Sequence, residues 1–264
     1  MFNGHTLILG VIKIGILLFI LLIGHQVFPQ ATDFYSEGIS LEKAFNVEAA
    51  LEKFELAIQQ NPKNANALTH ASRMLSNIGG RLDKTKHDQK LAFYEKAKSY
   101  AERSITLNPS NPDTRLAYVI SLGLSSEIAT NPYDKVRYAQ NIHKEATNIL
   151  QLDSTFAEAY FILGKWQFEL SRLNWMELMA CKIFFGGFSE DISMEAASRY
   201  FKKANDYKND NILFLFGLAS AQHALGENDK AIIILQKALS LPLSEPDDEQ
   251  RKERCQALLK EIIR

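Results

Sequence analysis

The side chains of this chain that can do chemistry are scattered rather than grouped into a catalytic constellation. Its six histidines share no helix face with carboxylates at ligand spacing, and its two cysteines form no Cys-x-x-Cys pair. The sequence contains no nucleophile elbow, no His-Glu-x-x-His zinc motif, no phosphate-binding glycine loop and no dinucleotide fingerprint. We therefore expect no catalytic centre, no metal site and no cofactor.

The same residue types are well suited to binding. Two long cations can donate to carboxylates or backbone carbonyls, three phenylalanine rings can surround an apolar side chain, and an amide and an imidazole add polar contacts. An imidazole can also titrate near neutral pH, but the favoured interpretation of His223 is a partly exposed structural histidine. These predicted groove residues are Arg73, Lys165, Phe161, Phe168, Phe216, Asn66 and His223.

A repeated helical unit must position these side chains, because one spacing of small and large residues recurs along the chain. A small residue is followed after four positions by a large apolar residue, after three more by a second small residue, and after five more by a helix-ending position. The best matches are Ala50, Phe54, Ala57 and Pro62; Ala197, Phe201, Ala204 and Asn209; and Ala231, Leu235, Ala238 and Leu243. A looser match is Ala97, Ala101, Ser104 and Pro109.

This spacing is the second-helix signature of the tetratricopeptide repeat, a helix–turn–helix unit of about 34 residues. The small residues let antiparallel helices approach, the large residue fills the space beside the next unit, and proline ends the helix. The sequence predicts an all-α tetratricopeptide-repeat helical solenoid of five helix pairs with insertions. The predicted units are 31–64, 65–111, 112–156, 157–211 and 212–245, followed by a capping helix at 247–264.

The first helix of each unit lines the concave surface in this repeat, and helical periodicity places the seven predicted groove residues there. The third unit is the weakest match, because Arg115 stands where an aromatic residue is usual and Ser154 where proline is usual. The groove is predicted to be polar around the second unit and aromatic, with isolated charges, around the fourth and fifth units.

An apolar insert, residues 173–185, interrupts the fourth unit. Its few polar residues fall on one narrow helical stripe, so this segment cannot stand alone in water. One interpretation packs it against the fourth and fifth units as extra core. The other makes it a lid over an apolar pocket, or a membrane-interface element, that binds a lipid or acyl chain. The candidate apolar ligand site then contains Trp175, Met176, Met179 and Phe184.

The N-terminal residues 1–30 predict export. From Leu7 to Ile23 nearly every residue is apolar and Lys13 is the only charge, which is typical of a cleaved signal peptide. An uncleaved membrane anchor is the alternative. We therefore expect a periplasmic or secreted protein, or one anchored by its N-terminus. Export would permit a disulfide, but Cys181 lies in an apolar run and is expected to be buried, which disfavours a bridge to Cys255.

The overall charge excludes one class of partner. The formal net charge is −1 and the isoelectric point is near 6.6, so no basic surplus is available to neutralise phosphates. The nearest cluster of cations, residues 81–90, is diluted by Asp83 and Asp88 and is typical of a solvated loop. No nucleic-acid partner is expected.

Two segments resemble the regulator of microtubule dynamics family. The aromatic-rich run from Ser171 that ends in Phe185-Gly186, followed by a helix from Met194, is similar to that family, and so is the Ala71-Ser72-Arg73 stretch before a long loop. The resemblance spans roughly residues 45–245. It implies a helical-repeat protein with no known catalytic centre that associates with other proteins and, in part of the family, with membranes. The family's prolines after the Phe-Gly element are absent here.

Taken together, these patterns favour a non-catalytic exported scaffold that binds a peptide or protein partner in its concave groove. The alternative is a protein that binds a lipid or acyl chain through the apolar insert. The two hypotheses place the ligand in different parts of the chain, since the first uses the inner face of the repeats and the second uses residues 173–185.

Overall fold

The computed structural model describes residues 33–83, 85–174, 176–177, 179 and 192–264, and among these residues it contains helices and no strand. The chain divides into two units, residues 1–33 and 34–264, and all helices named below belong to the second unit. They are α1 (Phe34–Lys43), α2 (Val47–Gln60), α3 (Ala65–Arg81), α4 (His87–Leu107), α5 (Pro112–Ile128), α6 (Pro132–Leu152), α7 (Ala157–Ser171), α8 (Met194–Tyr207), α9 (Ile212–Ala224), α10 (Asn228–Ser240) and α11 (Asp248–Ile263).

The prediction of an all-α solenoid is confirmed. Helices α1 to α10 form five consecutive pairs, and α11 packs on α9 and α10 as the capping helix. Consecutive first helices also contact one another, α3 with α5 and α7 with α9, so the first helices share one face of the stack. This face is the concave surface on which a ligand can lie.

Asparagine side chains start most of the first helices. Asn64 accepts a hydrogen bond from the N–H of Ala67 at 3.0 Å, and Asn211 accepts one from Phe214 at 3.2 Å. Asn111 occupies the same place before α5, where Pro112 supplies the first helical residue. Each cap satisfies an N–H that has no partner within the helix, which is worth about 1 kcal/mol. The capping asparagines therefore fix where the first helices α3, α5 and α9 begin.

Aromatic rings of the second helices pack directly on glycines of the first helices. A Cβ atom added at Gly38 would lie 2.6 Å from Cε1 of Phe54, and one added at Gly164 would lie 2.7 Å from Cδ1 of Phe201. Phe201 also touches the following pair, because a Cβ added at Gly217 would lie 2.8 Å from its Cε1. Any larger side chain at these glycines would overlap the rings, so glycine sets the spacing between helices.

The third pair replaces this aromatic packing with a polar contact. Arg115 on α5 forms an ion pair with Glu145 on α6 through Nη1, and its Nε donates to the carbonyl of Pro109 at 2.7 Å. Ala146 and Ile149 of α6 are nevertheless fully buried. The unit with the weakest sequence match thus keeps the small and apolar positions of its second helix and uses a charged pair in place of a ring.

Replacing Gly164 with alanine is expected to lower the free energy of unfolding by about 1–3 kcal/mol, because the new methyl group overlaps the Phe201 ring. Gly123→Ala is the matched control, since Gly123 lies inside α5 and nothing stands within 4 Å of a Cβ added there. That variant should keep or gain about 0.5–1 kcal/mol from the helix propensity of alanine. Urea unfolding followed by circular dichroism measures both, and equal effects would contradict the packing argument.

Candidate functional site: a cavity on the concave face

The concave face encloses a cavity of about 710 Å³. Side chains from α1, α3, α5, α7 and α9 line it, together with residues 244–247 from the connection between α10 and α11. Residues 241–247 are called the C-terminal loop below. The volume falls within the range of pockets that hold a specific ligand.

Apolar side chains cover one part of the cavity wall. Phe161 is held there by ring contacts with Phe201 and Phe214, whose centroids lie 5.4 and 5.2 Å away. These contacts fix the ring before any ligand arrives, so the apolar wall is preformed. The other main contributors are Ile39, Leu116, Ile120, Ile162 and Leu213.

Glu42 and His70 form a hydrogen-bonded pair between α1 and α3 at the edge of the cavity. Nδ1 of His70 lies 2.6 Å from Oε2 of Glu42, and the imidazole stacks on Phe54 with centroids 5.0 Å apart. Burial raises the pKa of the Glu42 carboxyl, but the hydrogen bond from His70 and the charges of His70 and Arg73 outweigh burial and leave that pKa below its ordinary value. Glu42 is therefore an anion at neutral pH beside Arg73.

Arg73 is half-buried in the cavity wall. Within the described part of the chain it has the Coulomb interaction with Glu42 and no hydrogen bond or ion pair of its own. A guanidinium carries five N–H donors in a planar fork. Arg73 therefore presents donors to the cavity that a bound carboxylate or carbonyl can accept.

A network of charged side chains closes the opposite end of the cavity. Nζ of Lys208 donates to Glu158 at 2.9 Å and to Glu245 at 3.4 Å, and Nδ2 of Asn211 donates to Glu245 at 2.9 Å. Arg251 donates to the other oxygen of Glu245 at 2.5 Å. Burial raises the pKa of Glu245, but Arg251 and Lys208 lower it by more, so the carboxyl is ionised at neutral pH.

Asp248 shapes the C-terminal loop from the first turn of α11. Its Oδ2 accepts hydrogen bonds from the N–H groups of Ser244 and Glu245, both at 2.8 Å, and its Oδ1 accepts one from Arg251 at 2.8 Å. The residue is only 1% exposed. Burial raises the pKa of the Asp248 carboxyl, but the backbone hydrogen bonds and Arg251 leave it below its ordinary value. The folded loop therefore requires an ionised Asp248.

The C-terminal loop is also tied to the second helix pair. Nε and Nη2 of Arg81, at the end of α3, donate to Oδ1 of Asp247 at 2.8 and 2.7 Å. The two residues are 166 positions apart in the chain. The loop thus crosses the concave face from the capping helix to α3.

Two of the seven predicted groove residues, Arg73 and Phe161, line this cavity. Lys165 is exposed, and Phe168 is half-buried against Phe201, with neither in the cavity wall. Periodicity places all three α7 residues on one side of the helix, but only the first half of α7 lines the cavity. Lys165 and Phe168 lie one and two turns beyond it.

The other three predicted groove residues lie away from the cavity. Asn66 is exposed in the first turn of α3. Phe216 is half-buried beneath α11, with the guanidinium of Arg254 5.4 Å from its ring centroid. Nδ1 of His223 lies 2.8 Å from Oδ1 of Asn228, which is a local contact after the end of α9.

Of the four candidate apolar ligand residues, the structure describes Met176 and Met179. Met176 and Met179 are 61% and 43% exposed, and neither lines the cavity. Trp175 and Phe184 lie outside the described residues. Asn174 and Glu177 exchange hydrogen bonds of 2.8 and 2.9 Å between side chains and backbone N–H groups, a capping box that starts a helical turn. The lid and core interpretations of the insert both stay predictions.

The remaining sequence expectations concern cysteines, metals and membranes. Cys255 is a buried free thiol whose pKa is raised to about 11, chiefly by burial, while Cys181 lies outside the described residues. Among the residues that the structure describes, no group of His, Cys, Asp and Glu side chains could hold a metal ion. No helix in this described portion is long and apolar enough to cross a membrane, and residues 1–30, the predicted leader, are not part of it.

Sequence reasoning missed much of the polar wall. His70 lies beside a predicted inward position, Lys208 and Glu245 lie in connections, and Arg251 lies in the capping helix α11. Periodicity within the first helices does not reach connections or the cap. One signal was available for Asn211, because asparagine is also the N-cap residue of the first helices α3 and α5.

Comparisons with known proteins agree with this architecture. The family model described as "Regulator of microtubule dynamics protein 1-3" matches residues 28–263. Regulator of microtubule dynamics protein 2 from Homo sapiens is 23% identical over 217 residues, which cover 81% of this chain and 52% of that protein. Its Mus musculus counterpart is 23% identical over 249 residues, 90% of this chain and 60% of that protein. The chain thus spans little more than half the length of these relatives.

Among solved structures, a thermophilic TPR protein from Thermus thermophilus superposes with a TM-score of 0.63 at 17% identity, covering 86% of this chain and 97% of that chain. At this identity the likeness speaks for the fold alone. It confirms that the helix pairs form a tetratricopeptide-repeat solenoid.

Asp248→Asn is expected to destabilise the chain by about 1–3 kcal/mol at pH 7, because an ionised, hydrogen-bonded carboxylate is lost from a buried site. The folded-state pKa of Asp248 lies below its unfolded value, so its contribution is fully present above about pH 4 and is lost as pH falls through the folded pKa. Thermal unfolding from about pH 7 to about pH 2.5 should therefore show the two proteins converging below about pH 4. A constant difference across this range would contradict the assignment.

Proposed function

Because this chain belongs to the regulator of microtubule dynamics family and has the tetratricopeptide-repeat fold, we propose that it is a non-catalytic scaffold that binds a peptide or protein segment in its concave groove. The fold and the family are those of proteins that generally act through interactions rather than through chemistry. The cavity between the first helices and the C-terminal loop is the site where the segment binds.

The observation that carries this proposal is the pairing of Arg73 with a preformed apolar wall. The donors of a half-buried guanidinium suit a main-chain carbonyl or a carboxylate of the bound segment. Phe161 and Ile120 offer apolar surface for one of its side chains. A polar anchor next to a small apolar pocket is the usual design of a peptide-binding hot spot.

The partner is proposed only as a class. The names of the relatives attach microtubule dynamics to those proteins, and this chain spans little more than half of their length. For this chain the proposal is therefore a protein or peptide partner recognised through the cavity, with no nucleic acid involved because the chain has no basic surplus.

The proposal also includes the cellular location of the protein. The apolar run from Leu7 to Ile23 supports export by a cleaved signal peptide, or attachment to a membrane by an uncleaved anchor. In either case the groove would face partners in the periplasm or outside the cell.

Arg73→Gln is expected to weaken the binding of groove-directed peptides about tenfold or more, because a charge-assisted bidentate contact is removed. Peptides would be selected from a display library against the full chain in detergent, and their affinity measured by fluorescence polarisation. Lys165→Gln is the matched control, since Lys165 is exposed and outside the cavity. Selected peptides that bind both variants equally well would contradict the proposal, provided circular dichroism shows both to be folded.

Lipid or acyl-chain binding is the second candidate function. The observation that favours it is the exposure of Met176 and Met179 in the turn that begins with the capping box of Asn174 and Glu177. Two exposed thioethers close together in the chain form a flexible apolar surface suited to acyl chains. This candidate places the ligand at the insert and leaves the cavity free.

Mass spectrometry of the purified full chain checks both the lipid and the leader. A solvent extract should contain a stoichiometric lipid if the insert binds one, and Met176→Ser with Met179→Ser should remove it. The intact mass should be lower than that of the 264-residue sequence if a leader is cleaved. An extract with no lipid would contradict the second candidate, and an uncleaved mass would replace the signal peptide with an anchor.

A further inference from the structure

The C-terminal loop forms part of the cavity wall and makes side-chain contacts of the kind that a bound peptide would make. Ser244, Glu245, Pro246 and Asp247 all contribute to the cavity wall, although the loop belongs to no first helix. Both of its carboxylates are bound by side chains from distant parts of the chain. Asp247 accepts two hydrogen bonds from Arg81, and the loop therefore makes the kind of contacts that a separate acidic peptide would make.

Glu245 shows the same pattern at the other end of the cavity. It accepts hydrogen bonds from Lys208 and Asn211, which lie in the connection between α8 and α9. Pro246 lies in a turn closed by a hydrogen bond of 3.1 Å from the N–H of Asp248 to the carbonyl of Glu245, so a turn and not an extended course holds the two carboxylates. Two carboxylates two residues apart are thus bound at two separate cationic points.

Without the loop, and with histidine counted as neutral, the cavity wall has one more cation than anions. Glu42 is hydrogen-bonded to His70 and Glu158 is paired with Lys208, so two of the three remaining anions already have partners. Opening of the loop would free Arg81 and one side of Lys208. The remaining charged side chains of the wall are the cations Lys43, Arg73, Lys208 and Arg251 and the anions Glu42, Asp113 and Glu158.

We propose that the groove accepts an extended acidic peptide, and that the chain's own C-terminal loop is a resident occupant that competes with it. This inference rests on the proposed groove-binding function and specifies its partner as a segment carrying carboxylates a few residues apart. The segment would displace Glu245 and Asp247 from Lys208 and Arg81 and then extend toward Arg73.

The geometry of α3 supports this path. Arg73 and Arg81 are eight residues apart on one helix, a separation of about 12 Å along its axis. An extended peptide covers that distance in about four residues. A segment with carboxylates about four positions apart could therefore bind both guanidinium groups at once.

The Arg81–Asp247 contact is the first one that a competitor would displace. Its side chains are 35% and 22% exposed, so water and salt screen the pair, and an exposed ion pair contributes little to stability. Glu245 is held more firmly, because Lys208, Asn211 and Arg251 all donate to it. Displacement would start at α3 and proceed toward α11.

The test uses the full chain in detergent and a fluorescein-labelled decapeptide with the sequence of residues 241–250. In the Glu245→Gln, Asp247→Asn double variant the resident loop loses its charges, so a larger fraction of molecules has an open groove. The decapeptide should bind this variant about tenfold more tightly than it binds the unchanged chain, since apparent affinity scales with the competent fraction. Raising the salt concentration should weaken the binding.

Two controls isolate the charge effect. The Glu195→Gln, Asp206→Asn variant removes the same charge from exposed positions on α8 and should bind like the unchanged chain. A decapeptide in which every acidic residue is replaced by its amide should bind the open variant at least about tenfold more weakly than the acidic one. Asp247→Asn alone, which weakens the side-chain contact with Arg81, serves if the double variant is found unfolded by circular dichroism.

The outcomes separate this inference from the function on which it rests. If the open variant binds the acidic decapeptide no more tightly than the unchanged chain, the competing loop is overturned. Equal binding of the acidic and amide decapeptides, weakened by Arg73→Gln, would overturn the acidic preference and leave groove binding intact. If display selection also yields no peptide whose binding depends on Arg73, the groove-binding function fails as well.

Discussion

The ring of Phe201, set between Gly164 and Gly217, is the contact on which the fourth and fifth helix pairs depend. It touches the first helix of its own pair and of the next pair, so one side chain fixes the distance between three helices. The same ring supports Phe161, which in turn forms the apolar wall of the cavity. The packing that builds the solenoid therefore also places the apolar wall of the cavity, and the two cannot be changed independently.

The polar wall of the cavity depends on charge rather than on the packing of rings. Two anions of the cavity wall, Glu42 and Glu245, and the buried Asp248 beside the loop are ionised at neutral pH, because hydrogen bonds and neighbouring charges offset the cost of burial. Glu42 depends on His70, Glu245 on Arg251 and Asp248 on the loop backbone. Arg73 differs, because within the described residues it has only a neighbouring charge. The guanidinium donors of Arg73 therefore have no hydrogen-bond acceptor in the part of the chain that the structure describes.

The fold could be predicted from the sequence because its signal is local and periodic. Ala197, Phe201 and Ala204 fall on one helix face, and their spacing alone implies a close partner helix. The cavity could be predicted only in part. Periodicity placed Phe161 and Lys165 on one side of α7, but it does not show how far along the solenoid a cavity extends. The cavity ends between these two residues. The contribution of Glu245 depends on where a loop crosses the face, which no local pattern encodes.

The hydrogen bonds between Arg81 and Asp247 distinguish this repeat array from an open solenoid. In an open solenoid each unit touches only its neighbours, so ends fray separately and units can be gained or lost over evolution at little cost. Here residues 166 positions apart are joined, and the array is closed on itself between the second pair and the cap. Insertion or deletion of one whole repeat would move Asp247 out of reach of Arg81. The geometry of this contact is therefore set by the number of repeats between α3 and the cap, as the closure of a propeller is set by its number of blades.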